Sequence, residues 1–282
     1  MKKFLVLLMS ALISGACASA GPSLIALPES LQSSELTSNN QGTGMQETVI
    51  DEEEIEAYAD LPDETIEERF NKIQSTNTGH AIVNSQIELV QVFSRPEPEA
   101  ETTTLITNPG PFEGLRTLET TGRITEDFIE VVLPVTPNNT TGWIQKTDAT
   151  AGETETVIII DISERKAALF IGPDLIAEAP VAIGAASTPT PAVEAIIDTI
   201  WERATSETFL PFLYGQQLFG LNKHSEALKA FDGKRPALAI HGTDKPELIG
   251  TAVSNGCIRM HNNDIAIFAE HVTLGTRVSI IG

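Results

Sequence analysis

One cysteine and one histidine in the C-terminal third of the chain have the residue types and surroundings needed for acyl transfer. His241 ends the apolar segment 236–240, and Cys257 follows Gly256 in a short turn-forming stretch. A thiol attacks a carbonyl carbon as the thiolate, and a neighbouring imidazole can take its proton. We therefore expect a thiolate–imidazolium pair, with an unusual backbone conformation at Gly256. Backbone N–H groups around the turn would stabilise the oxyanion of a tetrahedral intermediate.

The cysteine count bears on the same site. Cys17 and Cys257 are the only cysteines in the chain, and Cys17 lies in a segment that resembles an export signal. If Cys17 is removed or lipidated, Cys257 has no partner in the mature chain. Exported proteins tend to pair their thiols, so a lone Cys257 is either buried and inert or functional. Its position beside a glycine turn favours function.

The segment IHGTDKPELIGTAVSNGCIRM resembles the catalytic motif of the YkuD-type L,D-transpeptidases. The similarity includes the HGT box, Gly250 and the S-x-G-C-I-R-M box, and it continues through a helix at Asp264 to a final G-T-x-V-x-I strand. Upstream, Thr188-Pro189-Thr190 stands where the family often has T-P-T-G. The resemblance covers residues 155–282. It implies a mainly β catalytic domain, a sandwich or barrel with short helices.

The resemblance also implies roles for individual residues. Cys257 would be the nucleophile and His241 its general base. Many family members have a histidine immediately before the Gly-Cys pair, where this chain has Asn255, so a substrate contact at that position is in question. The remaining implied residues shape or orient the pocket: the Gly242 carbonyl next to the imidazole, Ser254, Gly256, and Arg259, which either pairs with a substrate carboxylate or braces the loop.

The family's reaction implies a function in the bacterial cell wall. Its members attack the stem tetrapeptide of peptidoglycan, release D-Ala and form 3–3 cross-links by transfer to a neighbouring stem. With water as acceptor the same site would be an L,D-carboxypeptidase. The alternative from another class is a non-catalytic wall-binding protein, which intact Cys257 and His241 disfavour. We expect no cofactor and no metal, because the spacing of His224, His261 and His271 matches no usual ligand pattern.

Charge and composition limit the partners. The formal net charge is −21, and most of the acidic excess precedes residue 155. A nucleic-acid partner would require a basic surface, so the charge argues against nucleic acid and against docking on anionic lipid. Lys2 and Lys3, an apolar run and Ala18-Ser19-Ala20 are typical of a signal peptide. Export to the cell wall, the periplasm or the outer face of the cytoplasmic membrane is therefore expected, with a lipid anchor at Cys17 left open.

The chain is predicted to contain four parts, and strands dominate the ordered ones. Residues 1–20 form the signal peptide, and 21–84 form an acidic disordered linker with a transient helix near 64–73. Short strands separated by Gly, Pro and Asn predict a small β domain at 85–150. Its string FIEVVLPVTPNNTTGWIQ resembles bacterial SH3-like barrels. In the catalytic domain at 155–282, Asn263 is predicted to cap a helix that begins at Asp264.

Overall fold

The computed structural model describes residues 52–74, 79–110, 112, 114–206, 210–230 and 236–282, and these lie within one compact unit. Strands dominate this part of the chain, which confirms the prediction of a mainly β fold. The described strands form two separate sheets. The predicted signal peptide, Cys17 and most of the predicted linker lie outside the described residues. No helix within the described ranges is long and apolar enough to cross a bilayer.

The smaller sheet has seven antiparallel strands in the order β3-β2-β6-β5-β4-β1-β7. Alternate side chains of β2, β5 and β6 enter one apolar core, as the two-residue period of a strand requires. Trp143 is buried beside Phe93 and Phe128 in a small aromatic cluster. The SH3-like character of this sheet stays a prediction. The strands are β1 (His80–Val83), β2 (Leu89–Phe93), β3 (Thr102–Thr107), β4 (Thr117–Ile124), β5 (Phe128–Val132), β6 (Thr141–Gln145) and β7 (Ala149–Gly152).

The larger sheet closes on itself. Its nine strands run β14-β10-β15-β13-β12-β11-β16-β8-β9, and β9 also pairs with β10, so that eight strands form a barrel with β14 attached to β10. Apolar side chains from the strands fill the interior. The strands are β8 (Thr156–Asp161), β9 (Lys166–Ile171), β10 (Asp174–Gly184), β11 (Glu194–Glu202), β12 (Gln217–His224), β13 (Ala237–His241), β14 (Ala252–Ser254), β15 (Ile258–Met260) and β16 (Arg277–Ile281).

Two helices precede the sheets, in the segment that was predicted as a linker. The helix α2 (Ile66–Gln74) agrees with the helix predicted near 64–73, whereas α1 (Glu52–Tyr58) was not predicted, and β1 precedes the predicted domain boundary at residue 85. Apolar residues of α2 recur with helical spacing and cover the outer face of β8 and β9. Ile73 is buried there, and the rings of Phe70 and Phe170 stack 4.2 Å apart. Burial of such side chains contributes about 2 kcal/mol each, which orders a segment of otherwise acidic composition.

The third helix, α3 (Asn262–Ala269), follows β15 and buries Ile265 and Phe268 in the barrel core. It begins one residue before Asn263, and His261 occupies the N-cap position without a side-chain capping bond. The predicted cap at Asn263 is therefore wrong. Asn262 is the first helical residue, and its side chain bonds to the backbone of the loop beside His241, as described below.

A buried ion pair joins the two sheets. Lys223 of β12 donates to the Glu119 carboxylate of β4 at 2.7 Å, and the Asn222 side chain donates to the same oxygen at 2.8 Å. Lys223 is only 1% exposed and Glu119 8%. A buried charge without a partner is strongly unfavourable. The pairing therefore fixes where the small sheet meets the barrel.

Candidate active site

The register of two neighbouring strands brings the predicted catalytic residues together. β13 and β15 are parallel, with Ile240 opposite Ile258 and His241 opposite Arg259. Both isoleucines enter the barrel core. Side chains alternate along a strand, so His241 and Arg259 face the other side of the sheet, as does Cys257 immediately before β15. Residues separated by 16 positions in the sequence thus share one face of the barrel wall.

The same register sets the separation of the two reactive side chains. Continued by one residue beyond the Ile240–Ile258 pair, it places Cys257 opposite Ala239 and diagonal to His241. Strand spacing and rise then give about 8 Å between the Cα atoms of Cys257 and His241. The two reactive side chains thus lie on one face of adjoining strands, two residues apart along the strand direction.

The imidazole of His241 is held in one tautomer. Its Nδ1 lies 2.6 Å from the carbonyl oxygen of Gly242. A carbonyl oxygen only accepts hydrogen bonds, so Nδ1 carries the proton and Nε2 keeps its lone pair. The ring of Tyr214 packs edge-on against the imidazole, with 4.9 Å between the ring centres. His241 is 2% exposed, so the base is sheltered as well as oriented.

A side chain from α3 fixes the loop after His241. Asn262 donates from Nδ2 to the Thr243 carbonyl at 2.9 Å and accepts the Thr243 N–H at 3.1 Å. A Cβ at Gly242 would lie 2.2 Å from the Asn262 side-chain oxygen, so only glycine fits there. The glycine of the HGT box is thus required by the close approach of Asn262. This places the Gly242 carbonyl next to the imidazole.

Ser254 and Gly256 shape the turn that carries the nucleophile. The Ser254 hydroxyl donates to the Cys257 carbonyl at 2.6 Å and accepts the Gly256 N–H at 3.0 Å. Gly256 has φ +105°, a backbone conformation that L side chains rarely adopt. The space around a Cβ at this position is ordinary, so the backbone conformation, and not crowding, demands glycine. The Gly256 N–H already donates to the Ser254 hydroxyl, so it is not one of the expected oxyanion donors.

The loop after β10 supports the nucleophile turn from outside. Thr188 donates its hydroxyl to the Ser254 carbonyl at 2.9 Å, and Thr190 donates to the Gly256 carbonyl at 2.9 Å. Thr190 is 1% exposed. The T-P-T sequence noted above therefore holds the backbone on both sides of Asn255.

An apolar wall surrounds the thiol. Trp201, Leu218 and Ala239 are buried next to Cys257, and Leu210 and Tyr214 pack against them partly buried. The sulfur lies 3.9 Å from the Ala237 carbonyl oxygen. Burial raises the pKa of the Cys257 thiol, which contact with the β13 backbone and the positive charge of Arg259 oppose. The thiol is therefore protonated at neutral pH.

The histidine is also neutral. Burial lowers the pKa of His241 to about 4, and the charge of Arg259 acts in the same direction, while the Gly242 carbonyl and Asp244 raise it. Both shifts favour the uncharged forms, so the resting site contains a neutral thiol and a neutral imidazole. This corrects the expected thiolate–imidazolium pair: its two charges are disfavoured by the apolar wall. His241 must take the thiol proton as the sulfur attacks.

Arg259 and Asn255 differ in their surroundings. Arg259 is half-buried on the same face as His241, and its buried Nε has no hydrogen-bond partner among the described residues. Asn255 is exposed at the tip of the turn. The described part of the chain contains no group of three His, Cys, Asp or Glu side chains that could hold a metal ion.

Sequence reasoning missed the residues that support the catalytic pair. It assigned no role to Asn262, Tyr214, Thr188 or Thr190. Asn262 and the two threonines lie within or beside recognised motifs, so their polarity next to the motif was the available signal. Tyr214 lies in a segment for which no element was predicted, and only the fold brings its ring to His241.

Comparison with known proteins gives a match in the C-terminal part of the chain. Residues 155–280 match the family model of the YkuD L,D-transpeptidase catalytic domain. The match covers less than half of the chain, and it makes no statement about the residues outside it.

Individual YkuD-type proteins are similar over shorter stretches. The putative L,D-transpeptidase YkuD of Bacillus licheniformis is 63% identical over 41 residues, which are 14% of this chain and 25% of that protein. The probable L,D-transpeptidase ErfK/SrfK of Escherichia coli K12 is 33% identical over 115 residues, 36% of each chain. The chain therefore spans about a quarter to a third of these relatives. L,D-transpeptidase 3 from Mycobacterium tuberculosis, solved with a faropenem-derived adduct, overlaps 55% of this chain and 92% of that one with 13% identity and a TM-score of 0.38.

Proposed function

We propose that this chain is an L,D-transpeptidase that acts on peptidoglycan stem peptides through a thioester at Cys257. The observation that carries the proposal is the placement of Cys257 and His241 on one face of two adjoining parallel strands. The Gly242 carbonyl holds the imidazole so that Nε2 is available as a base. The match of residues 155–280 to the YkuD family supports the same conclusion.

The proposed reaction begins at the amide between the third residue of the stem and its terminal D-Ala. The Cys257 sulfur attacks the carbonyl carbon while His241 Nε2 takes the thiol proton, which forms the C–S bond and a tetrahedral oxyanion. His241 then gives that proton to the D-Ala nitrogen as the C–N bond breaks. Because both groups start neutral, charge develops only as the reaction proceeds, within the apolar wall.

The second half of the reaction regenerates the thiol. An amine of a neighbouring stem attacks the thioester carbonyl, His241 accepts a proton from that amine, and the C–S bond breaks to release a 3–3 cross-linked product. His241 returns the proton to the sulfur. Water in place of the amine would release the shortened stem instead, as an L,D-carboxypeptidase does.

Two further features fit a wall substrate. Arg259 lies on the catalytic face, and within the described ranges its buried Nε has no hydrogen-bond partner, which suits a carboxylate of the stem peptide. The predicted signal peptide suits export to the wall or its adjoining compartment, and the predicted SH3-like module suits attachment there.

The test is intact-protein mass spectrometry of the purified chain after exposure to a carbapenem such as imipenem, with Cys257→Ala as the control. We expect one covalent adduct on the unmodified chain and none on the variant. A folded protein with a reduced thiol and no adduct would contradict the proposal. Tetrapeptide stems, with and without an acceptor stem, then distinguish cross-linking from carboxypeptidase action by the masses of the products.

A further inference from the structure

The helix α1 touches the loop that supports the nucleophile turn. The Tyr58 hydroxyl donates to the Gly184 carbonyl at 2.8 Å and accepts the Thr190 N–H at 3.1 Å. Its ring is partly buried against the barrel core. Burial raises the pKa of the Tyr58 hydroxyl, so it stays protonated and can donate. The Tyr58 hydroxyl, from the acidic N-terminal segment, therefore bridges the two ends of the loop 184–190.

Only Thr190 separates this contact from the nucleophile turn. The Thr190 hydroxyl accepts the Gly184 N–H at 2.8 Å and donates to the Gly256 carbonyl at 2.9 Å. Gly256 immediately precedes Cys257. A chain of hydrogen bonds thus runs from Tyr58 through Thr190 to the peptide unit that joins Gly256 to Cys257.

A second contact of α1 acts at the start of the stretch 250–257, which leads to the nucleophile. Glu54 forms an ion pair with Arg165, and their side chains are only 15% and 10% exposed. Arg165 also donates from Nη1 to the Gly250 carbonyl at 3.1 Å. Gly250 begins the stretch 250–257 that leads to the nucleophile. α1 therefore supports this stretch at both ends, each time through one intervening residue.

We propose that α1 is a positioning element for Cys257, with Tyr58 as its principal positioning residue. Neither Tyr58 nor Glu54 contacts the reacting groups, so their effect passes through Thr190 and Arg165. The inference rests on the proposed function, because it assigns to α1 the role of fixing the position of the Cys257 thiol. Without the Tyr58 hydroxyl, the Gly184 carbonyl and the Thr190 N–H lose their partner, and the turn can shift relative to His241.

The test replaces the hydroxyl alone. Tyr58→Phe keeps the ring and should slow acylation by imipenem about tenfold, as expected when a buried hydrogen-bonding pair is left unsatisfied. Alkylation by iodoacetamide, which requires only an accessible thiol, should stay within about twofold of the parent chain. A loss of structure alone would change both rates or neither, so the ratio of the two rates is the diagnostic quantity.

The matched control is Phe70→Leu in α2. It weakens packing of the same N-terminal segment on Phe170, away from the loop 184–190. We expect a lower melting temperature with both rates within about twofold of the parent, since no contact of the nucleophile turn changes. Equal acylation rates for Tyr58→Phe and the parent would overturn the inference. If Tyr58→Phe does not fold, Glu54→Gln replaces it under the same criteria.

A second readout separates this inference from the proposed function. Tyr58→Phe should speed hydrogen exchange about fivefold or more in peptides that span 184–190 and 250–257, with β8 unchanged. If imipenem acylates neither protein, the proposed function fails, and the exchange rates alone decide whether α1 holds the turn. Unchanged exchange in those peptides would overturn the positioning role.

Discussion

Replacing Asn262 with alanine should destabilise the protein and slow acylation together. The Asn262 side chain satisfies both the N–H and the carbonyl of Thr243, a residue that is 2% exposed. Two buried backbone groups without partners cost about 2–4 kcal/mol in total. Alanine is the better helix former at this first helical position, which offsets about 0.5 kcal/mol of that cost. We expect a net loss of about 1.5–3.5 kcal/mol in the free energy of unfolding.

The effect on activity follows from the position of Gly242. Once Asn262 no longer holds Thr243, the preceding carbonyl is free to move away from the His241 Nδ1. A displacement near 1 Å at a catalytic group can reduce a rate about a hundredfold, so acylation should fall about tenfold to a hundredfold. The His241 tautomer is then no longer fixed by one short hydrogen bond.

Asn263→Ala provides the matched control. This neighbour is exposed in the same helical turn, and the substitution brings the same gain in helix propensity. Because the gain in helix propensity is common to both variants, urea denaturation should separate them by about 2–4 kcal/mol, and their acylation rates by imipenem should differ about tenfold or more. If Asn262→Ala matches Asn263→Ala in both measurements, the reasoning about the HGT loop is refuted. Asn262→Asp should be intermediate, since it keeps the acceptor and loses the donor.

Three further measurements test the site and the contact between the sheets. Because burial raises the pKa of Cys257, alkylation by iodoacetamide should rise about tenfold per pH unit between about pH 6 and 8. Tyr214→Ala should admit water to His241 and raise its pKa from about 4 towards the ordinary value, as followed by NMR titration. Glu119→Gln leaves the Lys223 ammonium buried without its carboxylate and should cost about 3–5 kcal/mol in urea denaturation.

Each of these measurements has a control and a contradicting result. A flat alkylation rate above about pH 6 would show a preformed thiolate, against the neutral pair. Tyr214→Phe keeps the ring and should leave the histidine pKa unchanged. Glu97→Gln removes an ion pair with Arg95 in which both side chains are more than half exposed, and it should leave stability unchanged. Similar losses for Glu97→Gln and Glu119→Gln would contradict the role of the buried pair.

Sequence alone identified the candidate nucleophile and base because both lie in short motifs. The apolar run before His241 and the glycine before Cys257 are local features, and the structure places both residues on one sheet face. The apolar segment before His241 and the final G-T-x-V-x-I segment form β13 and β16, since runs of apolar and β-branched residues predict a buried strand directly.

The strands β11 and β12 were not predicted. β12 contains Asn222, Lys223 and His224, all buried, and no apolar pattern marks that part of it as a strand. It is buried because Glu119 neutralises Lys223 from a position 104 residues away. β11 is similar, with Asp198 and Thr199 buried within it. An ion-pair partner so distant in the chain cannot be recognised from the local sequence.

The sequence by itself determined the chemistry of the site: which thiol, which imidazole and which glycine turn. Only the tertiary structure decided the protonation states of Cys257 and His241 and the contacts that hold them in place. The apolar wall around Cys257 and His241 comes from several strands, and it makes both groups neutral. The order of α1 and α2 likewise depends on surfaces of the barrel, because an acidic segment gains stability only by burying its few apolar residues against another element.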